Sequence, residues 1–150
     1  MATIWKPSVT VAAVIERQGK FLLVQERVDG RLVLNQPAGH LDPGESLVDA
    51  CRREVLEETA HRFEPSGLVG IYRWHYAAKD MTFLRFCFRG ALEGTALRPL
   101  DEEIVQLEWL SAAELARRKA EHRSPLVQKC VDDFLAGRNF PIEILSGEFA

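Results

Sequence analysis

The stretch from Gly39 to His61, GHLDPGESLVDACRREVLEETAH, decides how the rest of the chain is read. Asp42-Pro43-Gly44 interrupts regular structure. A helix is then predicted from about Ser46 to Thr59, because Leu47, Cys51 and Val55 recur at i, i+4 and i+8 and form an apolar stripe. Glu54, Glu57 and Glu58 stand at i, i+3 and i+4 on that helix and share an arc roughly 100° wide. Like charges at these spacings repel. They also lie toward the helix C-terminus, where the macrodipole already carries negative charge. A divalent cation converts such a patch into a site, since Mg²⁺ takes oxygen ligands from a few carboxylates together with water and substrate phosphates. Without one, some of these glutamates are expected to hold protons more readily than isolated ones do.

Two further residues flank the patch. Arg53 precedes Glu57 by four positions and adjoins Glu54. It reads either as a surface ion pair contributing a few tenths of a kcal/mol, or as a fork-shaped donor that fixes a carboxylate in place. Glu45, near the helix start, suits the positive end of the dipole.

Outward from this segment, Val9 to Glu16 is β-branched and apolar and reads as a strand. A turn at Arg17-Gln18-Gly19-Lys20 leads to a second strand, Phe21 to Gln25, in a hairpin. Asp29-Gly30 is another turn, followed by a short strand through Leu34, and Gln36-Pro37-Ala38-Gly39 is expected to break regular structure. Gly67 to Tyr76 and Met81 to Arg89 read as two strands in a hairpin, and Ile104 to Leu110 as another strand. Ser111 and Glu114 form a capping-box pair for a short helix. Ser124-Pro125 opens a further helix with proline at its first position, and Gly137 ends it. The order implies one domain over residues 1–150, a mixed α+β or α/β sandwich around a single core.

Composition excludes several classes. The 150 residues, 47% hydrophobic and 27% charged, suit one globular domain rather than a disordered or membrane chain. A net charge of −3 argues against a nucleic-acid polymer as partner. The apolar run Val9 to Ile15 is too short to span a bilayer, and no secretory signal is visible, so a cytoplasmic location is expected. Cys51, Cys87 and Cys130 form no CxxC pair and read as buried, reduced thiols.

The segment resembles the Nudix signature: a glycine, a glutamate after five residues, and after seven more an Arg-Glu-aliphatic-any-Glu-Glu run closing on glycine and an aliphatic. Gly39, Glu45, Arg53, Glu54, Val55, Glu57 and Glu58 occupy those positions. Ala60 and His61 depart from its last two. A left-handed alanine there costs roughly 1 kcal/mol relative to glycine, which leaves the helix ending open. NQPAGH before the segment, FLRF at Phe83 to Phe86 and RSPLV at Arg123 to Val127 resemble the NudJ-type Nudix phosphatases.

The resemblance implies an αβα sandwich with a mixed sheet and a loop–helix–loop catalytic motif. It implies Mg²⁺ (or Mn²⁺) dependence and release of inorganic phosphate from nucleoside tri- and diphosphates, with the pyrophosphorylated pyrimidine precursor of thiamine as a further substrate. Carried onto this chain, it makes Glu54, Glu57, Glu58 and the Gly39 carbonyl the metal ligands, with Arg53 orienting Glu54 and Glu45 supporting the loop–helix junction. Glu54 or Glu103, the latter in the Asp101-Glu102-Glu103 run, is the general base. Arg27, His40 and Trp74 are candidate substrate contacts, Trp74 with His75 and Tyr76 as possible stacking groups for a base.

The expected partner is a small nucleotide or diphosphate, and the chain is expected as a monomer or homodimer. Competing expectations are hydrolysis of another X-diphosphate (a nucleotide sugar, dinucleoside polyphosphate or oxidised nucleotide), a Nudix-like ligand sensor without turnover, and an isoprenoid isomerase. A sensor would be expected to have lost the box carboxylates, and an isomerase would need a cysteine near the metal, where Cys51 on the apolar stripe is poorly placed.

Overall fold

A strand buried on both faces organises the chain. In the computed structural model, which describes residues 2–146, β1 (Ser8–Arg17) is followed by β2 (Lys20–Val28), β3 (Arg31–Asn35), β4 (Ala38–His40), α1 (Leu47–Thr59), β5 (Arg62–Tyr76), β6 (Met81–Glu93), β7 (Ile104–Ser111), α2 (Ala112–Arg117) and α3 (Leu126–Leu135). β1 pairs parallel with β6 from Ser8↔Phe83 to Ile15↔Gly90 and antiparallel with β4, while its last residues, Glu16 and Arg17, turn into a hairpin with β2. β2 pairs with β3 on one side and β7 on the other, and β5 closes the far edge against β6. The seven strands thus form one mixed sheet.

Alternation along β1 sends Val11, Ala13 and Ile15 to one face, where they pack with Ala50, Cys51 and Val55 of α1. Ala12 and Val14 go to the other face, against Val127, Cys130 and Val131 of α3. This explains the unbroken apolar run: both faces of β1 are covered, as in buried strands generally. The architecture is the αβα sandwich. No described helix is long and apolar enough to cross a membrane.

Local chemistry sets the element boundaries. Ser46 caps α1, its Oγ accepting from Asp49 N at 3.1 Å. α1 ends at Ala60, left-handed at φ 62°, whose N–H donates to Leu56 O at 2.9 Å. The helix therefore ends where the signature's glycine would stand. Ser111 Oγ accepts from Glu114 N at 3.1 Å, so the backbone half of the predicted capping box forms.

Two expectations need adjustment. Gln36 and Pro37 break regular structure as expected, but Ala38 and Gly39 do not, because Ala38–His40 is β4. Its pairing is tertiary, with β1, so local turn chemistry could not reveal it. Pro125 has helical dihedrals but stands one residue before the regular helix, which begins at Leu126; Ser124 Oγ accepts from Leu126 N and Ser124 O from Val127 N, both at 3.2 Å, so the chain starts to curl at Ser124.

Candidate active site

The acidic patch gathers around β4, which pairs only with β1 and is therefore an edge strand. Gly39 faces α1 in this register. A side chain at that position would collide with the Glu54 carboxylate, which fills the space left by the missing Cβ. Arg53 ties the cluster together. Its Nε and Nη2 donate to Glu45 at 2.9 and 2.7 Å, its Nη1 to Glu54 at 2.8 Å and to Glu57 at 3.2 Å, and its Nη2 to the His40 carbonyl at 2.9 Å. The fork-shaped role is therefore the one realised, and Glu45 is the residue that Arg53 grips at two points. Glu45 also caps the preceding turn by accepting from Asp42 N at 2.8 Å.

Glu58 reaches a different partner, accepting from Ala38 N at 2.6 Å. The antiparallel ladder explains this bond. Leu41 N donates to Val9 O and Ala13 N to Pro37 O, both at 3.0 Å. With alternation, Gly39 faces Val11 through its own backbone groups, whereas Ala38 and His40 turn theirs outward. Of the two outward carbonyls, that of His40 is engaged by Arg53. The Ala38 carbonyl, rather than that of Gly39, is thus the backbone oxygen available beside Glu58.

Burial raises the proton affinity of Glu58 to about 8, against the Ala38 hydrogen bond and with Glu26 and Glu54 adding repulsion. Burial also raises that of Glu54, which Arg53 only partly offsets. The Arg53 hydrogen bonds hold Glu45 below its ordinary range. The donor set is made of hard oxygens, and its two most buried carboxylates lack a full countercharge, so it fits a divalent cation. As they stand, no three described Asp, Glu, His or Cys side chains converge closely enough to enclose an ion. Arg53 Nη1 bridges Glu54 and Glu57, while Glu58 turns to the Ala38 N–H.

Around the edge of β4 opens a cleft lined among others by Gly39, His40, Trp74, Phe83, Arg85 and Arg123. NQPAGH, FLRF and RSPLV, distant in sequence, each contribute to its wall. Arg123 N donates to Leu34 O at 2.9 Å and Gln36 Nε2 to Val127 O at 2.8 Å, which fastens the third segment to the first. Tyr72 donates to Asp133 at 2.7 Å and so ties α3 to the sheet.

Of the sequence-derived substrate contacts, His40 and Trp74 line the cleft, with Trp74 stacked on Tyr76 and Phe83 at 5.2 and 5.7 Å between ring centroids. Arg27 does not join them: it is exposed, and strand alternation turns it away from the face carrying its neighbour Glu26. Glu103 is exposed in the turn before β7, without a polar partner among the described residues. Cys51 is buried in the core among Val11, Ala13 and Val55, and burial pushes its thiol proton affinity up. The sequence reading missed Glu26, buried and paired with Arg123 at 2.6 Å, and the buried Arg85, Asn35 and Gln36. Asn35, Gln36 and Arg85 stood inside the NQPAGH and FLRF segments, but no role was assigned to them.

The NUDIX domain model matches residues 5–130. The chain belongs to the Nudix family. It is 40% identical over 147 residues to Phosphatase NudJ of Escherichia coli, covering 97% of this chain and 94% of that protein. The same identity and coverage hold for Phosphatase NudJ of Shigella boydii. Among solved structures, a Nudix hydrolase from Nitrosomonas europaea superposes with a TM-score of 0.92 at 50% identity, covering 95% of this chain and 98% of that one. A structure described as UDP-X diphosphatase shares the fold, with a TM-score of 0.75 at 18% identity over 93% of this chain and 68% of the other. This Nudix chain is a phosphohydrolase resembling the NudJ phosphatases.

Proposed function

We propose that the enzyme releases inorganic phosphate from nucleoside tri- and diphosphates, and from the pyrophosphorylated pyrimidine precursor of thiamine, in a Mg²⁺-dependent reaction (Mn²⁺ substituting). The observation that carries this reading is the junction at β4, where the carboxylate cluster of α1 meets the cleft built by NQPAGH, FLRF and RSPLV. The full-length similarity to proteins named Phosphatase NudJ supports phosphate release over other Nudix outcomes.

Glu54, Glu57, Glu58 and the Ala38 carbonyl would hold the ion. When bound, it supplies positive charge to phosphate oxygens and makes water more acidic. The chain's own groups do the rest. Arg53 keeps Glu54 and Glu57 on one side of the edge strand, and Glu45 anchors Arg53. Glu54, half-buried with raised proton affinity, accepts the proton of the attacking water, a task for which exposed Glu103 is the alternative.

The test incubates the purified protein with GTP, GDP and the thiamine pyrimidine pyrophosphate, with and without Mg²⁺, and separates orthophosphate from pyrophosphate. Metal-dependent orthophosphate from GTP and GDP is expected. Pyrophosphate with a monophosphate would replace the reading with pyrophosphohydrolysis. Glu54→Gln is expected to lose at least about a hundredfold in kcat and Glu103→Gln less than about tenfold; the reverse order would make Glu103 the base.

A further inference from the structure

The cleft holds a charged group that this chemistry leaves without a task. Arg85 is only 6% exposed. Its Nη1 donates to Gln36 Oε1 at 3.1 Å and lies 3.9 Å from Cys130 Sγ, and its Nη2 donates to Asn35 Oδ1 at 3.0 Å. Two of these partners are neutral amides and the third is a thiol, and no described carboxylate pairs with the guanidinium. A buried charge without a counterion is costly, so a merely structural arginine would be a poor occupant. The Nε–H and one Nη2–H find no protein acceptor among the described residues, and Arg85 lines the cleft.

The surroundings narrow what those donors can take. Asn35 and Gln36 have committed their oxygens to Arg85, and the Gln36 amide nitrogen is committed to Val127 O. The network therefore presents donors to the cleft. Sheet register sets His40, Thr10, Arg85 and Tyr72 in one row on one face, with Phe83 and Trp74 in the next row on the same face. Arg85 thus lies beside the stacked Trp74 and Phe83 rings, two strands from the β4 edge where the carboxylates gather. An aromatic wall next to a planar donor fork suits a flat ring with acceptors along its edge.

We infer that Arg85, oriented by Asn35 and Gln36, is a specificity-determining residue that reads the acceptor edge of a planar base lodged against Trp74 and Phe83. The inference rests on the cleft being the substrate site. A guanine edge carries two adjacent acceptors, O6 and N7, that a guanidinium meets in bidentate fashion, whereas adenine sets an amino donor beside its N7. The cleft accordingly selects 6-oxopurines over adenine.

The test is equilibrium binding of GMP, IMP and AMP to the full chain by titration calorimetry in metal-free buffer. GMP and IMP are expected to bind at least about tenfold more tightly than AMP. Arg85→Gln is expected to bring that ratio close to one. Because a buried substitution can unfold the protein, Asn35→Asp provides a second arm. It supplies the missing counterion, should keep or raise Tm, and should also remove the preference by engaging the free N–H groups. Equal binding of GMP and AMP by the wild type, no binding of any of the three, or a preference retained in both variants would overturn the inference. So would tight binding of inorganic phosphate that Arg85→Gln abolishes with equal loss for all three nucleotides, since the guanidinium would then be a phosphate site. These equilibria involve no turnover, so failure to release phosphate from GTP would sink the proposed reaction and leave this result standing.

Discussion

Gly39 shows how a single missing atom serves chemistry. The residue was legible in the sequence as the first position of a spaced pattern, but its use was not. The expectation assigned its carbonyl to metal, whereas the ladder gives the outward carbonyl to Ala38 and leaves Gly39 to make room for the Glu54 carboxylate. Gly39→Ala requires no positive φ, so the strand should still form. The new methyl would displace Glu54, and a shift of about 1 Å in a reacting group costs on the order of a hundredfold. The variant should therefore keep its far-ultraviolet circular dichroism and lose about two orders of magnitude in kcat/KM. Activity within a few fold of wild type would show that Glu54 has freedom to move. Arg85 and Asn35 were beyond single-sequence reading for another reason: their meaning lies in a pairing across two strands and a missing carboxylate, and neither leaves a local spacing.

Among the elements, α1 was the most legible, because its period, cap and charges are all local. Its end was left open, and the structure closes it at a left-handed alanine. The energetics explain how alanine is tolerated there. The left-handed conformation costs roughly 1–2 kcal/mol. Ala60 is 1% exposed, so its methyl recovers about 0.8 kcal/mol by burial, and alanine spares about 0.4–1 kcal/mol of the unfolded-state entropy that glycine carries. These terms nearly cancel, so Ala60→Gly should shift Tm by less than about 4 °C in either direction. A rise well beyond that would mean the strain is larger than the buried methyl offsets. β4 was the least legible element: three residues, one of them glycine, become a strand only because β1 is there to pair with them.

For the whole molecule, the buried carboxylates tie stability to pH. Glu58 goes from an ordinary 4.5 to about 8 on folding, with Glu54 shifted in the same direction. Below the unfolded value both states are protonated and the group has no effect. As pH rises toward the folded value, the unfolded chain ionises while the folded one resists, so stability falls across that window. Glu45 has the opposite sign, but its loss lies at lower pH, below the ordinary carboxylate range. In EDTA, Tm should therefore drop between about pH 5 and pH 8. If the proposed ligands hold Mg²⁺, its saturation should suppress the drop, so the gap between the two scans widens with pH as protons leave these glutamates. A constant gap would mean that the ion does not compete with the Glu58 proton. The sandwich itself was legible from the order of elements, whereas the parallel β1–β6 pairing that joins its halves was not, since no local signal marks a contact so distant in sequence.

The carboxylate helix and the Arg85 row occupy opposite faces of the sheet and meet only at the β4 edge. Heritable change can therefore act on them separately. On the proposed assignments, substitutions on the Arg85 face retarget the enzyme to a different leaving portion while the carboxylate site is passed on intact, so descendants of one such chain diverge in diet without reinventing their chemistry.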